Sequence, residues 1–129
     1  MRRLLLPAAL LIAVLAPAAS ASARLTNEYT YTYEQLWQAS VRLIAVDLRF
    51  PITDRDPEIG YLLFNYLEQG REYHGSLELV RTEGPHGGPQ VRVVVQVASM
   101  PTYVERMMLD RLARKLNDDY GQPPPTRRP

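Results

Sequence analysis

Val91, Val93, Val95 and Val97 alternate with Arg92, Val94 and Gln96, and no other run constrains the fold as much. Side chains of an extended chain point to opposite faces with period 2, so this run predicts a strand with one buried and one open face. Such a strand needs neighbours. Gly60 to Leu67 alternates too, with Leu62, Phe64 and Tyr66 on one parity and Tyr61, Leu63, Asn65 and Leu67 on the other. Glu68-Gln69-Gly70-Arg71 reads as a hairpin turn, and Glu72 to Arg81 as the next strand, with Leu77 and Leu79 on one face. The breaker-rich Glu83 to Pro89 links it to the valine strand. Short turns between consecutive strands imply an antiparallel meander.

Upstream, Leu25, Asn27, Tyr29 and Tyr31 alternate with threonines and Glu28, predicting a first strand over 25–32. Thr32-Tyr33-Glu34-Gln35 is a capping-box pattern, with Tyr31 placed to staple onto Leu36. A helix to about Val46 carries the stripe Leu36, Trp37, Ser40, Val41 and Ile44, with Trp37 as a core anchor. Leu48, Phe50 and Ile52 read as a short strand, placed at an edge or bulge by Pro51, and Asp54 to Glu58 as a turn. After Val97, a second helix is capped by Ser99 or Met100, with Pro101 in its first turn. Val104, Met108, Leu109, Leu112 and Leu116 form its stripe, and Gly121 stops it. The expected fold is therefore α+β, a two-layer β-α-β-β-β-β-α domain. Its curved antiparallel sheet is covered on one face by two helices.

The chain has 129 residues, which divide into three parts. Residues 1–23 have a basic start (Arg2, Arg3), an apolar run broken by Pro7 and Pro17, and small-x-small patterns at 19–21 and 21–23. That is the pattern of a secretory signal peptide, with cleavage after Ala23 favoured over Ala21. Residues 24–121 are the single domain, and 122–129, with Pro123-Pro124-Pro125, a disordered Pro/Arg tail. The expected location is periplasmic or extracellular, with no stable membrane span after cleavage. The whole chain has a formal charge of +1, but residues 24–121 hold eleven basic and fourteen acidic groups, a net −3. An acidic domain is a poor fit to nucleic acid. With no cysteine, the chain offers no disulfide scaffold, no thiolate zinc site and no lipid attachment point.

Catalytic patterns are weak. Asp54, Asp56, Glu58 and Gly60 suggest a calcium loop, but Ile59 and Asn65 stand where that loop needs glycine and glutamate. His74 and His86 fit no paired metal-ligand spacing, and Ser40, Ser76 and Ser99 lie in no nucleophile elbow. No catalytic residue, metal or cofactor is implied. The informative feature is the outward parity of the third strand. Tyr61, Leu63, Asn65 and Leu67, joined by Val80 and Val94, form a candidate interaction face for a protein partner or for self-association. The alternative is a carrier of a small apolar ligand held between the C-terminal helix and the sheet, lined by Met100, Met107 and Met108.

Leu36-Trp37-x-Ala39 in the first helix, Asp54-Arg55-Asp56-x-x-Ile59-Gly60-Tyr61 opening the meander, and the long final helix carry a resemblance. The chain resembles small exported bacterial domains of TATA-binding-protein-like or helix-grip fold. It is similar to the C-terminal modules of the C-type lipoprotein of the outer-membrane β-barrel assembly machinery. The resemblance spans roughly residues 25–120 and transfers no catalytic residue. It implies a non-enzymatic envelope protein, and without a lipobox cysteine it does not imply membrane tethering.

Overall fold

The computed structural model describes residues 25–123. The expected signal segment and residues 124–129 of the expected tail lie outside them. The order is β1 (Leu25–Tyr29), α1 (Tyr33–Arg42), a π-helical turn (Leu43–Asp47), β2 (Ile52–Asp56), β3 (Tyr61–Glu68), β4 (Arg71–Glu83), β5 (Pro89–Val97) and α2 (Thr102–Tyr120). The strands form one five-stranded sheet, ordered β1-β5-β4-β3-β2, and every pairing is antiparallel. The fold is α+β, as the alternation and stripes implied.

The valine strand sits between β1 and β4, and its inward residues are the floor of the core. Val91, Val93, Val95 and Val97 are all buried, together with Leu77, Leu79, Leu62 and Phe64 from the neighbouring strands. Val104, Met108, Leu109, Leu112 and Leu116 of α2 and Leu36, Ala39, Leu43 and Ile44 of the first helical segment join the same buried cluster. Each fully buried Leu or Val side chain contributes about 1.5–3 kcal/mol. Trp37 and Val41, expected in the stripe, pack only partly buried at its flank, while Ala39 and Leu43 take the central positions.

The capping box forms as expected. Gln35 N–H donates to Thr32 Oγ1 at 3.1 Å, and Thr32 N–H donates to Gln35 Oε1 at 3.1 Å. The helical path runs to Asp47 through the π turn, and Arg49 (φ 56°) reverses the chain. The short strand therefore starts later than the Leu48/Phe50/Ile52 alternation suggested. Leu48 and Phe50 pack on the core from a loop, with Phe50 stacked on Phe64 at 6.1 Å and tilted on Tyr66 at 4.9 Å. For Leu48 and Phe50 the alternation came from this packing and not from pairing, which begins at Ile52. β2 takes in Asp54, Arg55 and Asp56, and the turn moves to Pro57–Gly60, where Asp56 Oδ1 accepts from the N–H groups of Glu58 and Ile59 at 2.9 and 3.1 Å. β2 is an edge strand with a register shift between Ile52 and Asp54, consistent with Pro51 beside it.

The second helix also starts later than expected, by one residue from a Met100 cap and two from a Ser99 cap. Pro101 is its N-cap, with no side-chain cap, and its carbonyl accepts from Val104 N–H at 3.1 Å. Ser99 instead adopts φ 62°, a left-handed turn residue. Gly121 ends α2 at φ 77°, and its carbonyl accepts from Tyr31 O–H at 2.6 Å, tying the helix end to the start of α1.

Several tyrosines link this packing to pH. Burial pushes the phenols of Tyr29, Tyr31, Tyr33 and Tyr66 above the usual value of 10.0. The folded state thus holds these protons more tightly than the unfolded chain. Unfolding releases protons above pH 10, so stability is fully present below that pH and falls as pH rises toward the folded values. Urea midpoints should be flat from neutral pH to about 9 and then decline; a midpoint that held steady through pH 11 would contradict it.

Candidate functional site

The residues singled out from the third strand lie on the sheet face opposite both helices. Register fixes their surroundings. Tyr61 pairs with Glu78, which pairs with Val94, which pairs with Thr26. Leu63 pairs with Ser76, which pairs with Gln96; Asn65 pairs with His74, Leu67 with Glu72, and Val80 with Arg92. Leu63 and Leu67 are 37% and 41% exposed, large fractions for leucines within a paired strand. Tyr61, Asn65, Val80 and Val94 are half-buried. No described element covers this face.

One expectation changes. The apolar residues do not merge into a single patch. Tyr61, Leu63 and Leu67 form a column along β3, while Val80 lies on β4 and Val94 beyond it on β5, with Glu78 standing between Tyr61 and Val94. The strand period decides this: β4 places Glu72, His74, Ser76, Glu78 and Val80 on the open face, so four of five positions there are polar.

The charge of the face is the feature that residue-by-residue reading missed. Asp54 and Asp56 of β2 stand opposite Leu63 and Tyr61, and Glu28, Glu72 and Glu78 share the same side. Five carboxylates thus meet the guanidinium of Arg92 alone, and Arg92 is held by Glu28 at 3.0 Å. That pair is exposed and contributes little to stability. Parity counting of the acids in the strands next to Leu63 would have found this rim; the reading of Asp54–Glu58 as a turn hid two of its five acids. Tyr61 O–H donates to Asp54 Oδ2 at 3.1 Å, and this bond raises the phenol above its usual value.

The residues weighed for catalysis do not converge here. His74 is exposed in the middle of β4, and His86 lies in the exposed hairpin loop. The Asp54/Asp56 carboxylates are engaged locally, Asp54 by Arg55 N–H and Tyr61 O–H, Asp56 by the turn amides.

Among the described residues, three of the concavities lie away from this face. A groove of about 620 Å³ runs on the outside of the helix layer between the π turn and α2, walled by Asp47, Arg111, Arg114, Lys115, Asp118 and Asp119. Its charges are partly matched, Lys115 reaching Asp47 at 2.9 Å and Asp119 at 3.9 Å. A cleft of about 300 Å³ lies where the start of α1 meets Arg81, Thr82 and Gln90, with the Arg81 guanidinium 3.8 Å over the Tyr33 ring. The third, about 170 Å³, opens at the start of α2 beside Glu105. The methionines proposed to line a ligand cavity divide: Met108 is fully packed in the core, while Met100 and Met107 sit at its margin.

The chain matches no protein-family model and no curated protein. Among solved structures it is similar to the protein CV1439 from Chromobacterium violaceum, with a TM-score of 0.42 and 9% identity. The match covers 78% of this chain and 97% of that one, and at this level it carries no argument about fold or function.

Proposed function

We propose that the chain is a non-enzymatic, exported protein-interaction module of the bacterial envelope. Its open sheet face receives a basic, amphipathic segment of a partner protein. One observation carries the reading: exposed Leu63 and Leu67 run down a face holding five carboxylates and one guanidinium. Apolar side chains left in water between paired strands gain by being covered. The acidic rim selects what covers them, since opposite charge steers and orients a partner while like charge repels it. For the same reason the partner reading is preferred to self-association, because two copies placed face to face would bring ten carboxylates together. Export is supported by the Arg2-Arg3 start, apolar run and small-x-small sites of residues 1–23. The carrier reading has less support, because Met108, Leu109, Leu112 and Leu116 already fill the space between α2 and the sheet.

The test uses the domain starting at Arg24 and a pair of designed peptides, one Lys/Leu and one Glu/Leu, matched in apolar content. The Lys/Leu peptide should bind, perturb the amides of Leu63, Leu67 and Val94, and weaken as salt rises. Leu63→Asp should lower its affinity about tenfold or more, as loss of about 1.4 kcal/mol of burial requires. Equal binding of both peptides, perturbations confined to the helices, or a concentration-dependent dimer lost in Leu63→Asp would each overturn the reading.

A further inference from the structure

Glu105 is 3% exposed, the one buried acid among the described residues. It stands on the first turns of α2, and its Oε1 accepts from the backbone N–H of Val97 at 3.0 Å. That bond fixes the carboxylate against the end of β5. Its other oxygen, Oε2, is buried with no hydrogen-bond partner. A buried carboxylate with an idle oxygen is costly, since burial strips water and nothing replaces it. The ion pairs of the described residues serve other acids, namely Glu28, Asp47 and Asp119.

Glu105 also lines the cleft of about 170 Å³ at the start of α2, together with Gln96, Val97, Ser99 and Thr102, and no basic residue lines it. Three properties define what fits. A carboxylate only accepts, so the group that serves Oε2 must bring N–H or O–H donors. A charge buried without a partner is stabilised by an opposite charge. The volume is below the ~300–1,000 Å³ of sites that enclose small molecules, so the cleft suits the end of one side chain. A lysine ammonium meets all three conditions. It is a compact single charge with three donors, and the hydroxyls of Ser99 and Thr102 offer further acceptors beside Oε2. A calcium ion is a poor match, since it takes about 6–8 oxygens and Glu105 is the one acid lining the cleft.

Position links the cleft to the open sheet face. Gln96 lines the cleft and stands in one cross-strand row with Ser76 and Leu63, so the cleft begins where that face ends. Neighbouring strands lie about 4.8 Å apart, which puts Gln96 roughly 10 Å from Leu63. A segment lying over Leu63 covers that distance in about three extended residues. We infer that the cleft beside Glu105 takes the ammonium group of one lysine of the partner segment, with Glu105 as its counter-ion. The acidic rim attracts any cation by charge alone. Glu105 is buried, fixed by Val97 and short of a donor, so it selects N–H groups at one position.

This inference rests on the reading of the open sheet face as a partner site, and the two fail separately. The purified protein is titrated with the Lys/Leu peptide and with the same peptide carrying trimethylated lysines, which keep the charge and lose every side-chain N–H. The unmodified peptide should bind about tenfold tighter, as a hydrogen bond to a charged group requires, and it alone should shift the Val97 amide resonance. Glu105→Gln keeps an oxygen for Val97 N–H and puts an amide donor in place of Oε2. Both peptides should bind that variant with the affinity the trimethylated peptide has for wild type. Binding of neither peptide to wild type overturns the partner reading and the lysine site with it. Equal binding of the two, an unmoved Val97 amide, or a preference unchanged in Glu105→Gln overturns the lysine site alone. Should Glu105→Gln not fold, the wild-type comparison and the Val97 amide decide.

Discussion

Gly75→Ala should cost about 2–3 kcal/mol, as overpacking of a filled core does, and lower the melting temperature by roughly 10 °C or more in a domain of this size. Gly75 of β4 lies directly opposite Phe64 of β3. The Phe64 ring lies over the glycine, and an added Cβ would stand 2.4 Å from two of its ring carbons. The ring has nowhere to retreat, being 1% exposed and stacked on Phe50. Thermal melts of Gly75→Ala and Phe64→Leu, alone and combined, separate the cause. Leucine vacates the space over residue 75, so the double variant should be more stable than the sum of the two single losses. Simple additivity would mean that the glycine is kept for some reason other than the ring.

Gly60→Ala should be as damaging by a different route. Gly60 has φ +91°, where a side chain is strained by about 1 kcal/mol before any contact is considered. Its carbonyl accepts from Leu79 N–H at 2.7 Å, extending the β3–β4 ladder past Tyr61. A Cβ there would lie 2.5 Å from Leu79 O and 2.8 Å from Tyr33 Oη. The first is backbone of a central strand. The second is held by its own bond to Pro57 O at 2.6 Å, which ties α1 to the turn. We expect a loss of about 3 kcal/mol, a large share of a stability of ~5–15 kcal/mol. Gly70 is the control. It also has positive φ (+76°), but nothing lies within 4 Å of the added atom. Gly70→Asn should stay within about 1 kcal/mol of wild type, while Gly60→Asn should fail like Gly60→Ala. Urea melts in which Gly60→Asn matched Gly70→Asn would remove the contact explanation.

These two glycines mark the reach of pattern reading. Gly60 is visible as a turn glycine between Asp56 and Tyr61, but the proximity of Leu79 O is a contact across 19 positions of chain. Gly75 interrupts a strand pattern without any local sign that Phe64 lies over it. The same holds for the short strand. Leu48, Phe50 and Ile52 alternate because all three pack against the core, Phe50 on Phe64 and Tyr66, and a loop and a strand leave the same mark on so few residues. Trp37 showed the limit of the stripe: a 100° increment per residue assigns a face, but neighbours on α2 decide which part of that face is its centre.

The candidate site divides in the same manner. The outward column of β3 was legible from its own period, and Leu63 and Leu67 are where that period places them. The acidic rim was not, because it is assembled from β1, β2 and β4 as well, and membership of a face depends on register between strands. Glu105 is the extreme case. On the helix pattern it is an ordinary acid near a helix N-terminus, where a negative charge is favourable and commonly solvated. Only the end of β5 beside it makes it a buried partner of Val97 N–H.

The sequence by itself determined the α+β class, the order of elements, the capping box, the Gly121 stop and the inward and outward sets of the long strands. Each follows from interactions within a few residues of chain, or from a period that burial on one side imposes. The tertiary structure alone decided the strand order β1-β5-β4-β3-β2, the start of β2, the ring over Gly75, the acidic rim around Leu63 and the burial of Glu105. All of these depend on which distant segments are brought side by side, and that is set by the joint packing of every apolar face, which no single stretch of sequence contains.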